Sequence, residues 1–196
     1  MRLRDLGASC LILFALAASA CGAPDAQSEA EAPDARADEA HSGARHVVEV
    51  VARDFAFEAP SELRPGWTTF RLTNEGAQEH FMALTRLPDG KTLEDYAAEV
   101  GPAFDLTPYT SGEMDKSTYL GHVAGLIPEW YFSVVNSGGP GFISPGAVSE
   151  TTLLLEPGTY VAECYVKTPE GRFHVELGMV HEITVAGEPT DAVPPE

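Results

Sequence analysis

Residues 157–185, PGTYVAECYVKTPEGRFHVELGMVHEITV, decide how the rest of the chain is read. Pro157-Gly158 is a turn signal, and TYVAECYV after it alternates as a strand does. That parity puts Tyr160, Ala162, Cys164 and Val166 on one face and Glu163 on the other. MVHEITV is a last strand, with Met179, His181, Ile183 and Val185 sharing a parity. A turn-rich loop carrying His174 joins the two. Cys164 has no thiol partner if Cys10 and Cys21 belong to an export segment. A buried core cysteine is the plain reading of such a residue, because Cys packs as a small hydrophobe. In an oxidising compartment, however, a lone thiol is exposed to oxidation and mispairing.

Upstream the pattern is also mostly β. TTLLL (151–155) is a strand. In HVVEVVARDFAFE (46–58), Val48 and Val50 have one parity and Phe55 and Phe57 the other, which predicts a bulge near Arg53-Asp54. WTTFRLTN follows the Arg64-Pro65-Gly66 turn, with Phe70 and Leu72 alternating, and Asn74-Glu75-Gly76 turns the chain into HFMALTRL. Leu93, Tyr96, Ala97 and Val100 then fall at helical spacing behind Thr92, a cap residue, with Gly101-Pro102 as a stop. A second helix is expected from about Ser111 to Ala124, ended by Ile127-Pro128. WYFSVV reads as a strand and NSGGPGFISPG as a loop. Short strands without βαβ alternation predict an all-β, antiparallel Greek-key β-sandwich with a partly helical insertion at about 88–150.

One thiolate, two imidazoles and a thioether form the donor set of a blue-copper electron-transfer site. Cys164, His174 and Met179 lie in that order near the C-terminus, and His80 opens a strand after NEGAQE. The region from about His46 to Ala186 resembles the cupredoxin family of plastocyanin and azurin type. DFAFEAPSELRPGWTTFRLTNEGAQEH is similar to that family's opening strands and first copper histidine, and PGTYVAECYV with HVELGMVHEITV to its closing ligand loop. The resemblance implies a single type 1 copper held by His80, Cys164 and His174, with Met179 axial. Two departures stand out: nine residues separate Cys164 from His174, more than in those proteins, and the insertion is longer than a minimal member needs. His181 is read as packing beside the site, and His122 and His41 as uninvolved.

The N-terminus has the pattern of an exported lipoprotein. Arg2 and Arg4 precede a short apolar run, and Ala18-Ser19-Ala20 leads to Cys21, the residue such proteins lipidate. The expected organisation is a signal peptide (1–20), a disordered acidic tether (21–45), the folded domain (46–186) and a tail (187–196). With a net charge of −18 over 196 residues, nucleic acid is excluded as a partner, and a basic redox partner is favoured. No HExxH or phosphate-binding loop occurs, and Cys164 with His174 lacks an orienting third residue, so no enzyme is expected. One-electron transfer outside the cytoplasm is the leading expectation. Copper capture or delivery, and a metal-free binding module, are the alternatives.

Overall fold

The computed structural model describes residues 45–194. The signal, Cys10, Cys21, His41 and nearly all of the tether lie outside the described residues. Among the described residues, nine strands build two sheets: β1 (Val47–Arg53), β2 (Ala56–Glu58), β3 (Glu62–Leu63), β4 (Gly66–Asn74), β5 (Ala83–Arg86), β6 (Val135–Gly138), β7 (Val148–Leu155), β8 (Gly158–Glu163) and β9 (Val180–Val185). One sheet runs β2-β1-β4-β7 and the other β3-β9-β8-β5-β6. The expected sandwich is present, with one difference. The sheets are mixed, because β1 lies parallel to β4 and β3 parallel to β9.

The inward-facing residues are those that alternation selected. Val48, Val50, Phe70 and Leu72 from the first sheet meet Leu84, Tyr160, Ala162 and Ile183 from the second, all 4% exposed or less. The parity conflict in 46–58 is resolved differently from the expected bulge. The chain reverses at Asp54-Phe55, so that Arg53 pairs with Ala56 and Ala52 with Phe57. Phe57 thus reaches the core from a separate strand. The reversal also aims Asp54 out of the strand, which becomes important below.

Among the described residues, three α-helices lie between β5 and β6: α1 (Leu93–Glu99), α2 (Thr107–Thr110) and α3 (Lys116–Leu126). Helix α1 starts with a complete capping box, Thr92 accepting from the Asp95 amide and Asp95 from that of Thr92. The second expected helix begins later, at Lys116, because Asp115 caps it by accepting from the Thr118 amide. WYFS is not a strand: Glu129–Ser133 is a 3₁₀ turn whose Trp130 and Tyr131 pack against the helical segment. The chain rejoins the second sheet at β6, so the end of the 88–150 stretch belongs to the sandwich.

The helical segment covers the outer face of the second sheet. Tyr96 and Val100 of this segment bury Leu87 and Val161, flanked by Leu93, Phe104, Ile127 and Tyr131. Strand β8 is consequently buried on both faces, and its last four residues are all inaccessible. No helix among the described residues is long and apolar enough to cross a membrane.

Candidate metal centre

The loop between Cys164 and His174 is itself a small hairpin. Lys167 bridges Phe173, the Thr168 amide donates to the Arg172 carbonyl at 2.8 Å, and the His174 amide donates to the Val166 carbonyl at 2.8 Å. The nine intervening residues therefore fold outward and return, and His174 arrives beside Cys164 held by backbone bonds. A 3₁₀ turn, Val175–Leu177, follows and closes at Gly178, whose φ of 102° lies in the left-handed region that favours glycine. The Met179 amide donates to the His174 carbonyl (3.0 Å), and the Cys164 amide to the Met179 carbonyl (3.3 Å). Met179 is completely buried in the apolar cluster that contains Cys164.

His80 is set by the turn after β4. The buried Asn74 side chain donates to the carbonyls of Gln78 (2.7 Å) and Ile143 (3.1 Å) and accepts from the Gly76 amide (2.9 Å). Asp54 grips the same turn from β1's end, accepting from the amides of Ala77 (2.9 Å) and Gln78 (3.3 Å). It also accepts from His80 Nε2 at 2.7 Å. Glycine is required at 76: a Cβ there would collide with the Asp54 carboxylate and come within 2.7 Å of His80 Nε2.

These supports fix both imidazoles in one tautomer. Asp54 takes the Nε2 proton of His80, and Gln78 Oε1 takes that of His174 at 3.3 Å, so each Nδ1 is left as a bare lone pair. The two lone pairs face each other at 3.2 Å, and the Cys164 sulfur lies 3.9 Å from His80 Nδ1 and 3.6 Å from His174 Nδ1. All three residues are fully buried. A single thiol proton cannot satisfy two nitrogen acceptors, so this buried triangle is short of positive charge. A point equidistant from the three atoms lies about 2.1 Å from each, within the roughly 2.0–2.3 Å of metal bonds to imidazole nitrogen and thiolate. A soft sulfur with two imidazoles in such a triangle suits copper.

Burial dominates the electrostatics of the site. Burial pushes the Cys164 thiol up, opposed by hydrogen bonds from the amides of Phe81 and Val166. Burial and the facing His80 lower the pKa of His174, against the pull of Asp54. Burial alone would raise the Asp54 pKa. The Ala77 amide, His80 and the Gln78 amide outweigh it and hold the carboxyl below its ordinary value.

His80, Cys164 and His174, all named from the sequence, are thus brought together, and Met179 is tied to two of them through its backbone. His181 is not part of the cluster; its Nε2 lies 3.4 Å from the Pro60 carbonyl. His122 is exposed on α3. Sequence reasoning missed Asp54, Gln78 and Gly76. The signal available was a DF reversal and an NEGAQEH turn, each unremarkable until the fold brings them together. It also missed Phe55, whose ring meets that of His174 edge-on at 4.9 Å.

No family model and no curated protein matches the chain. Among solved structures it is similar to the dithionite-reduced auracyanin of Roseiflexus castenholzii, with 20% identity, 74% of this chain and 100% of that one covered, and a TM-score of 0.42. It is similar to auracyanin A, a blue copper protein of Chloroflexus aurantiacus, at 20% identity, 73% and 100% coverage and a TM-score of 0.43. Rusticyanin of Thiobacillus ferrooxidans matches at 16% identity, 73% and 79% coverage and a TM-score of 0.39.

Proposed function

We propose that this chain is a one-electron carrier in which His80, Cys164 and His174 would hold a single copper ion, with Met179 as a further, weaker ligand. The observation that carries the reading is the buried triangle of two bare imidazole nitrogens and a sulfur, sized for one metal ion. Copper bound there supplies a couple between Cu(I) and Cu(II), for which soft sulfur and borderline nitrogen donors are suited.

The protein's own residues do the rest. Asp54 and Gln78 hold the two imidazoles by their far nitrogens, so neither ring can rotate when charge changes between them. Cys164, buried between the two imidazoles, would lose its thiol proton to solvent if a metal bound there. The packed shell of Phe55, Ile143 and Met179 excludes water. A site that moves little between charge states suits electron transfer better than bond chemistry. In the same reading, Cys21 carries a lipid that tethers the domain to a membrane outside the cytoplasm. The charge of −18 favours a basic redox partner.

The test is the visible spectrum of the full chain titrated with Cu(II), beside Cys164→Ala. An intense thiolate-to-copper band that saturates at one copper per chain and is absent from the variant is expected. Copper-dependent stabilisation without such a band would favour capture or delivery instead. Neither band nor stabilisation would leave a metal-free scaffold.

A further inference from the structure

Both imidazoles of the site are cut off from solvent. His80 and His174 are each 0% exposed. The Nε2 of one is covered by Asp54 and that of the other by Gln78, and Phe55 lies edge-on against His174. An electron carrier with no imidazole edge at its surface must meet its partner elsewhere. A different group on this end of the sandwich reaches solvent directly: Phe142 is 70% exposed, and its ring lies 4.6 Å from that of Phe81. Phe81 directly follows His80 in sequence and packs against the apolar cluster that contains Cys164. The two rings thus form a continuous contact from the chain neighbour of His80 to the surface.

The position of Phe142 is imposed by its flanks. The Met82 amide donates to the Pro140 carbonyl at 3.1 Å, and His80 and Ile143 exchange both backbone bonds at 3.1 and 2.8 Å. The Ile143 carbonyl also accepts from Asn74. Gly139 is pressed against the Met82 carbonyl so closely that a Cβ would collide with it. A large apolar ring held out in water by anchored backbone costs solvation without any return inside the monomer. The charge beside it is negative. Glu79 is exposed next to the patch, accepts from Ser144 Oγ at 3.5 Å, and makes no ion pair among the described residues.

From this geometry we infer that Phe142, seated on Phe81 and flanked by Glu79, is the docking surface for a protein redox partner with an apolar centre and a lysine-rich rim. The inference rests on the electron-carrier reading above and places its contact away from both histidines. A single exposed aromatic anchor with charge at its edge suits the small, short-lived interfaces of electron-transfer encounters. The Glu79 charge would act mainly on the association rate.

A lysine-rich c-type cytochrome serves as the probe in two experiments. The first maps amide shift changes on the metal-free full chain as the cytochrome is added. Changes centred on residues 79–82 and 139–144 are expected; changes centred on Phe55 and Gln78 would overturn the proposal. This arm needs no metal, so its outcome is read separately from that of the copper titration. The second compares copper-loaded wild type with Phe142→Ser and Glu79→Lys. Phe142→Ser should keep its visible band and reduction potential while its second-order rate with the cytochrome falls about tenfold or more, as loss of an interface anchor does. Glu79→Lys should lower the rate and flatten its dependence on ionic strength. A Phe142→Ser rate within about twofold of wild type, with the band intact, would sink the docking surface and leave the copper site standing.

Discussion

The two faces of β8 are both buried, but by different parts of the chain and to different ends. The inner face, Tyr160, Ala162 and on to Cys164, belongs to the core of the sandwich and leads to the metal-ligand cluster. The outer face, Val161, Glu163 and on to Tyr165, lies beneath residues 93–131. Inside, the ligand atoms of His80, Cys164 and His174 converge on one another. Outside, the polar atoms satisfy one another: Tyr165 donates to Glu163 Oε2 at 2.6 Å, and the Tyr165 and Tyr96 hydroxyls are 3.3 Å apart. Only Glu163 Oε1 is left without a partner there. The contrast suggests that the helical segment stabilises the strand carrying Cys164 without touching the chemistry.

The strongest way to break that division is Tyr96→Ala. Tyr96 is 2% exposed at the centre of the outer cluster, and its loss leaves a large cavity under α1. Unfolding of the metal-free chain in denaturant should show a loss of about 3–5 kcal/mol. The visible band of the copper-loaded variant should be unchanged. A weakened or shifted band would mean that the outer cluster positions Cys164 and that the two faces work as one.

Glu163 sharpens the same comparison through pH. Burial raises its carboxyl to about 7, against the hydrogen bonds of Tyr165 and Tyr96. The folded state therefore holds a proton that the unfolded chain has already released between about pH 4.5 and 7. The sign follows directly: stability is greatest at low pH and declines as pH rises towards 7, by up to about 3 kcal/mol in all. Glu163→Gln should flatten that dependence in the metal-free chain between pH 5 and 8. An equally steep decline in the variant would assign the effect to another group.

Inner and outer faces also differ in how far they could be read from sequence. Period-two alternation was enough to put Cys164 with Tyr160 and Ala162, because strand parity is a local property. Helical spacing with a capping residue located α1 for the same reason. Alternation could also separate Glu163 from Cys164, but not show it buried, since its cover comes from residues some seventy positions away. The ligand residues were legible by type, yet Asp54 was not. Its role depends on a reversal at Asp54-Phe55 where the sequence suggested a bulge, and on a turn more than twenty residues later. Parallel pairing of β1 with β4 is invisible for a similar reason, since alternation assigns faces but not strand direction. WYFS misled because aromatic residues favour strands and equally well cap an apolar cluster from a 3₁₀ turn.

Within the inner face, Gly76→Ala separates packing from donor chemistry. No donor is removed, but the added methyl group must push Asp54 and the His80 ring apart. Copper affinity should fall about 10- to 100-fold, as when the support of a ligating histidine is lost. Stability of the metal-free chain should change much less, because the turn is partly exposed. A competition titration against a chelator of known affinity would measure it. Unchanged affinity would show that the turn can relax and that His80 is not held by it.

Asp54→Asn is the mildest of these changes and isolates charge from geometry. Asparagine keeps one oxygen to accept from His80 Nε2, where the native distance is 2.7 Å. Its other terminus is then an amide donor facing the Ala77 amide, which Asp54 Oδ2 accepts at 2.9 Å. One turn bond is lost, and so is a negative charge that favours Cu(II) over Cu(I). The reduction potential should rise, and Cu(II) affinity should fall by up to about tenfold, the lower bound for losing a ligand's hydrogen-bonded support. Cu(I) affinity should fall less, because the lost charge matters less to the ion with the smaller charge. Equal losses for both ions would mean that Asp54 acts only by holding the turn. A potential that falls instead would contradict the role given to its charge.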